Sequence, residues 1–162
     1  MDREKLLNAL NEVLAQAHGR EIRYKTHAAV VNGPYADGIG NWLKEIARVE
    51  QEHANKLRDC ITALGGVPTL DVAKEELIPA RSLKEILAVN LKEESKAIDL
   101  YQSILKLVDR EDVILYGVIE DIIEGKREHH EELNRLRVIT ACDNALSAPY
   151  PRAWRVADTR AG

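Results

Sequence analysis

A helical stripe with two polar residues at its centre runs through residues 42–57, which read WLKEIARVEQEHANKL. Trp42, Ile46, Glu50, His53 and Leu57 recur at steps of three and four, so they share one face of a helix. That face is apolar at both ends and carries a carboxylate and an imidazole in its middle. The pattern predicts a long buried helix with polar chemistry at its midpoint.

Three further stripes of the same kind predict helices over residues 3–31, 82–108 and 113–141, and the quoted helix extends over 37–64. Short polar links join the first helix to the second and the third to the fourth. A longer stretch with two prolines, residues 67–81, separates the second helix from the third. This order predicts an all-α, antiparallel four-helix bundle with a long crossover between helices two and three.

Length and composition agree with one aliphatic domain. The 162 residues contain no Phe and few other aromatics, which favours helices over a sheet sandwich. We assign residues 1–141 to the bundle and 142–162 to an extended tail, which either docks on a neighbour or frays. The net charge of −4 disfavours nucleic-acid binding. No apolar run suits a membrane, no secretory signal is visible and there is no CxxC, so we expect a cytoplasmic protein.

Charged and polar residues recur at the middle of the other inward stripes: Glu94 on the third helix, and Lys126 and His129 on the fourth. An ionised carboxylate in a dry core costs several kcal/mol unless it is paired or binds a metal. Carboxylate and imidazole together are ligands for iron, manganese or zinc. A single Glu-x-x-His on a charged helix is more often a solvated face, but convergence from three helices favours an internal cluster.

Several motifs in these stripes resemble the ferritin-like superfamily, closest to its bacterioferritin and rubrerythrin-like branch, over roughly residues 3–138. The resemblance rests on Tyr24-Lys-Thr-His27-Ala28, on Glu50-Gln-Glu-His53 followed by LGGVP at 64–68, on Leu91-Lys-Glu-Glu94 through Tyr101, and on residues 122–133. It implies two Glu-x-x-His pairs and one lone Glu on each of helices one and three. In the family these six side chains hold two irons that react with dioxygen or peroxide.

The metal ligands that this resemblance implies are Glu50, His53, Glu94 and His129. Two ligand positions depart from the family pattern, because Ala17 stands at the first-helix Glu and Lys126 at the fourth-helix Glu. Glu21, one turn after Ala17, is a partial substitute in the ligand set. Gln51 stands where bacterioferritins carry the haem-binding Met, so we predict no haem.

Lys126 decides how much metal chemistry to expect. Two unit charges about 4 Å apart interact by about 4 kcal/mol at an effective dielectric of 20, so a charged Lys126 beside one divalent cation costs about 8 kcal/mol. Full occupancy by two irons is therefore disfavoured. Three outcomes stay open: a metal-free core in which Lys126 pairs with the glutamates, one metal held by some of the four ligands, or an irregular two-metal site completed by Glu21.

Two functions follow from these outcomes. The first is an iron-binding or iron-oxidising protein, or another oxygen- or peroxide-dependent oxidoreductase, in which Tyr24 and Lys126 take part in the chemistry. The alternative is a non-catalytic, metal-free bundle that acts as a structural or interaction subunit. By resemblance we expect a homodimer or a larger homo-oligomer. Protection of nucleic acid is the weakest hypothesis, although the tail carries Arg152, Arg155 and Arg160.

Overall fold

Four long helices account for most of the computed structural model, which describes residues 2–141 and contains no strand within that range. Their bounds are Arg3–Val30 (α1), Ala36–Ala63 (α2), Leu83–Leu105 (α3) and Val113–Thr140 (α4). α1 packs against α2 and α3 against α4, while the chain between α2 and α3 contains a 3-10 turn, Lys74–Glu76. The predicted all-α bundle with a long crossover between helices two and three is confirmed.

Side-chain caps set the starts of three helices. Asp2, Ser82 and Asp112 each accept a hydrogen bond from the backbone N–H three residues later. Glu85 accepts at 2.6 Å from the N–H of Arg81, which lies one residue before the N-cap Ser82, so the return bond of a capping box to Ser82 itself is not formed. The sequence pattern extends the third helix to residue 108, but α3 ends at Leu105. After Leu105 the chain tightens into i→i+3 turns.

Apolar side chains form two separate clusters at opposite ends of the bundle. The first apolar cluster joins the start of α1, the ends of α2 and α3 and the start of α4; its fully buried members include Leu6, Leu10, Leu57, Ile61, Ile119 and Ile122. The second apolar cluster joins the other ends of the same helices and includes Tyr24, Leu43, Ile46, Ile86, Leu87 and Leu133. This separation leaves the middle of the bundle to other side chains.

The crossover runs along α1 and is hydrogen-bonded to it at several points. Asn11 donates to the carbonyl of Val67, the N–H of Ala73 donates to the carbonyl of Ala15, and a ring nitrogen of His27 lies 2.8 Å from the carbonyl of Ile78. A Cβ at Gly19 would lie 2.6 Å from the Cβ of Glu76 and 2.8 Å from the carbonyl of Ala73, so only glycine permits this approach. The crossover therefore reaches the level of the polar residues.

Among residues 2–141, no helix is both long and apolar enough to span a membrane. The tail assigned to residues 142–162, which includes Cys142, lies outside the described residues. Both interpretations of the tail therefore stay predictions. Cys60 is buried, with its thiol free, and belongs to the first apolar cluster.

Candidate functional site

The inward-facing polar residues of α2, α3 and α4 meet between the two apolar clusters. Glu50, Glu94 and Lys126 have no exposed surface, and His53 is also buried, whereas His129 is half-buried. Each lies at a position where its helix continues the apolar stripe, so the helical period alone turns it inward. The middle of the bundle is thus polar and almost dry.

Lys126 lies between the two buried glutamates. Its Nζ donates to Glu50 Oε1 at 2.6 Å and lies 3.5 Å from Glu94 Oε2. The same ammonium lies 5.8 Å from the centre of the Tyr101 ring, within cation–π range. The fourth-helix position that the family fills with a carboxylate ligand is therefore filled here by a cation bound to the remaining carboxylates.

The other carboxylate oxygens of the two glutamates also have protein donors. Arg20 Nε donates to Glu50 Oε2 at 3.0 Å, and the Tyr24 hydroxyl donates to Glu94 Oε1 at 2.7 Å. Burial by itself would raise the pKa of Glu50, but Lys126 and Arg20 hold it below its ordinary value. Burial and the neighbouring Glu94 raise the pKa of Tyr24 well above its ordinary value, so this phenol keeps its proton.

Arg20 and Arg23 extend this network from α1 to the crossover. Arg20 Nη1 donates to Glu76 Oε1 at 3.0 Å, and Arg23 Nη1 binds the other oxygen of Glu76 as well as its carbonyl. Arg23 Nε also donates to Asn90 on α3 at 2.9 Å. All three charged side chains are buried, which makes Glu76 a crossover residue that belongs to the core.

We name these six side chains the charged cluster: Arg20, Arg23, Glu50, Glu76, Glu94 and Lys126. Three are cations and three are carboxylates, so their formal charges cancel. Every helix and the crossover contribute at least one member. A buried ion network is tolerated when its charges balance and its hydrogen bonds are made; here the charges balance, while Nη2 of Arg20 and Nη2 of Arg23 are buried without a hydrogen-bond partner.

The two histidines complete the polar layer without joining the ion pairs. Burial lowers the pKa of His53 to about 4, against the pull of Glu50, and burial also lowers the pKa of His129. Both rings are therefore neutral at pH 7. Nδ1 of each ring is buried without a hydrogen-bond partner, as is the hydroxyl of Tyr101.

Glu21 lies apart from the charged cluster. It is partly exposed and pairs with Lys25, one turn further along α1. Arg20, its neighbour in sequence, is the α1 residue that contacts Glu50 instead. The structure brings Glu50, His53, Glu94, Lys126, His129 and Tyr24 to one level of the bundle, but it does not bring Glu21 there.

The sequence pattern did not predict three members of the charged cluster. Arg20 lies three residues after Ala17 and four before Tyr24, so the stripe of α1 passes through it, and this spacing was a usable signal. Arg23 lies four residues before the buried His27 and carried a weaker signal of the same kind. Glu76 lies in an aperiodic segment, where no sequence pattern reports burial.

The residues present do not fit a six-ligand, two-metal centre. Each of the four oxygens of Glu50 and Glu94 already faces a protein donor, and α1 offers Ala17 and Arg20 in place of a carboxylate. One smaller ligand group does exist: ligand atoms of Glu50, Glu94 and His129 lie within 4.8 Å of one another. That group could hold a single ion only if Lys126 released both carboxylates.

Known proteins resemble this chain in sequence and in fold. A family model described as a ferritin-like domain matches residues 7–140. The DNA protection during starvation protein of Halobacterium salinarum is 32% identical over 128 residues, which is 79% of this chain. The matched stretch covers only 61% of that relative, so the chain spans less than two thirds of its length.

Two solved structures have the same fold. A ferritin-like, diiron-carboxylate protein from Bacillus anthracis is 30% identical, with a TM-score of 0.79, and the match covers 85% of this chain and 98% of that one. A dodecameric thioferritin from Bacteroides fragilis, described as bacterioferritin-related, is 25% identical, with a TM-score of 0.80 and coverages of 91% and 94%. The family match, the bundle and the remaining ligand residues agree, and this chain belongs to the ferritin-like family.

Proposed function

We propose that this chain is a non-catalytic ferritin-like subunit whose centre is closed by Lys126, and that it acts through assembly with other copies. The observation that carries the proposal is the position of Lys126 Nζ between Glu50 and Glu94. In this interpretation the charged cluster replaces the two-metal centre of the family as the element that joins the helices. Tyr24 serves as a hydrogen-bond donor to Glu94 and Lys126 as a counter-ion, and neither reacts.

Electrostatics support this interpretation. The charged cluster is already neutral, so each divalent ion brought into it would add two uncompensated positive charges. If the ammonium of Lys126 stays about 4 Å from a single divalent ion, the repulsion between them is about 8 kcal/mol at an effective dielectric of 20. The guanidinium of Arg20 adds to that repulsion. Coordination would also have to replace donors that the carboxylates already have.

Assembly is proposed by analogy with relatives. The Bacteroides fragilis relative is described as dodecameric, and the fold similarity extends over most of both chains. We propose that this chain forms at least a homodimer. Sedimentation across a range of concentrations tests this part independently, and a monomer at every concentration would contradict it.

Metal titration tests the closed centre. The parent protein, purified without added metal and titrated with Fe²⁺ under argon and then air, is expected to take up no stoichiometric iron and to oxidise none. The double variant Ala17→Glu with Lys126→Glu restores both missing carboxylates and is expected to bind two metals per chain by elemental analysis. Lys126→Met is the control, because it removes the ammonium without adding a ligand. Two irons in the parent would overturn the proposal.

A second candidate is an iron-binding protein with one metal per chain. It is favoured by the grouping of Glu50, Glu94 and His129 and by the unpartnered, buried Nδ1 of His129. The same titration separates the candidates, because this one requires one equivalent of metal in the parent. Nucleic-acid protection, which the name of the Halobacterium relative describes, is opposed by the net charge of −4.

A further inference from the structure

A groove with an acidic rim runs between α3 and α4 on the outside of the bundle. Its volume is about 580 Å³. Leu105 and Ile123 form its apolar floor, Gln102 and Arg127 also line it, and its rim carries Glu120, Asp121, Glu124, Glu128 and Glu131. An apolar floor under one sign of charge is the kind of surface that a cationic segment with an aromatic side chain fits.

The glutamates of this rim are uncompensated. Glu120, Glu124 and Glu128 follow one another at i,i+4 spacing, where like charges repel. None of the three forms an ion pair with a described residue, whereas Asp121 reaches Lys56 at 3.9 Å. Some exposed charges elsewhere on the bundle are paired, as where Arg48 binds both Glu45 and Glu52 on α2. Arg127 is the only cation among the residues that line the groove, so the five acidic side chains leave the groove with a net negative charge.

We propose that the groove is the docking site for the C-terminal segment of the same chain, residues 149–162. This segment carries Arg152, Arg155 and Arg160 against one aspartate, and Trp154 lies between the first two arginines. The arginines offset the net negative charge of the rim. The indole covers the floor formed by Leu105 and Ile123.

The length of the segment and its point of departure agree with this docking. The described chain ends at Ala141, directly after α4, and the rim begins ten residues back along the same helix at Glu131. At about 1.5 Å per residue, Glu131 and Glu120 lie roughly 15 and 31 Å from that point. The eleven residues from Ala141 to Arg152 extend to about 36 Å. The arginines can therefore reach the whole rim without leaving their own subunit.

Fluorescence of Trp154 tests the proposal in the full chain. Trp42→Phe removes the only other tryptophan, so emission then reports on Trp154 alone. We expect blue-shifted emission that is protected from acrylamide. A groove variant, Glu120→Gln with Glu124→Gln and Glu128→Gln, should shift the emission to that of a solvated indole. Salt at about 1 M, where the Debye length is about 3 Å, should also weaken the docking.

The matched control removes the same charge from exposed positions elsewhere: Glu12→Gln, Glu75→Gln and Glu111→Gln. It should leave the emission and quenching of Trp154 unchanged, and circular dichroism should show equal helix content in both triple variants. A solvated Trp154 in the parent, or equal responses of the two triple variants, would overturn the proposal. Docking that depends on protein concentration would place the segment on a second copy and would also overturn it.

Discussion

The two apolar clusters and the charged cluster are built from the same four helices, but they hold those helices together in different ways. At the ends of the bundle, aliphatic side chains are withdrawn from water, and each contributes through its own buried area. In the middle, each charged side chain is tolerated only because a partner of opposite sign lies beside it. A change at the ends therefore acts locally, whereas a change in the middle exposes its partners to an uncompensated charge.

The charged cluster also connects more of the chain than either apolar cluster does. It links α1, α2, α3 and α4 to one another and adds the crossover through Glu76. Replacing a complete ion network with apolar residues is often neutral for stability, so the cluster is weak evidence of stabilisation by itself. Its consequence is geometric: all six charges are paired in the relative register that the helices adopt.

The largest effect is expected from removing the ammonium of Lys126. Lys126→Met leaves Glu94 without its cation and should lower the free energy of unfolding by about 3–5 kcal/mol, measured by urea denaturation. Adding Glu94→Gln restores neutrality, and the amide oxygen can still accept from Tyr24. The double variant should therefore be more stable than Lys126→Met alone. Leu57→Ala in the first apolar cluster should cost about 2–5 kcal/mol and should gain nothing from Glu94→Gln.

Acid should weaken the middle of the bundle through His27. Its Nδ1 faces the amide nitrogen of Asn90 at 2.9 Å and its Nε2 faces the carbonyl of Ile78, so the neutral ring fits and the protonated ring does not. Burial lowers its pKa from 6.5 to about 4. As the pH falls, the unfolded chain binds this proton before the folded chain does. The contribution of His27 to the free energy of unfolding should therefore be complete above pH 6.5 and fall by about 3 kcal/mol as the pH drops towards 4.

The variant His27→Gln should reduce the dependence of the unfolding free energy on pH over this range, and the part that remains comes from His53 and His129, whose pKa values burial also lowers. His130→Gln, at a half-buried position of α4, is the matched histidine-to-glutamine control. Equal profiles for the parent and His27→Gln would contradict the assignment of the acid sensitivity to this ring.

A smaller effect is expected where the crossover meets α1. Gly19→Ala would place a methyl group against Glu76 and the carbonyl of Ala73, so the crossover has to shift. We expect a loss of about 1–3 kcal/mol, as for other overpacked sites. Thermal unfolding measures it, and hydrogen exchange should localise the change to the crossover. Unchanged exchange there would mean that Glu76 is not held by this contact.

The smallest effect has the opposite sign. Gly117 lies in α4 with open space at its Cβ position. Gly117→Ala should therefore stabilise the protein by about 0.5–1 kcal/mol through helix propensity alone. The same substitution at Gly19 and Gly117 thus separates the cost of the close crossover contact from the benefit of replacing a helical glycine.

Periodicity by itself determined the four helices, the crossover and the inward direction of Glu50, His53, Glu94 and Lys126. These follow from the sequence because a helix repeats every 3.6 residues, so spacing reports which face a residue occupies. The sequence also exposed the substitutions at Ala17 and Lys126 by comparison with the family pattern. Spacing within one helix could not predict the ion pairs, because each pair joins side chains from different parts of the chain.

Only the tertiary structure decided that Arg20, rather than Glu21, contacts Glu50, and that Glu76 enters the core from the crossover. Neighbouring residues on a helix differ by about 100° in direction, so a small rotation of α1 selects one of them, and packing sets that rotation. An aperiodic segment has no face to predict. Sequence alone therefore established the bundle and its polar middle, while the balance of charge between helices and crossover required their positions in space.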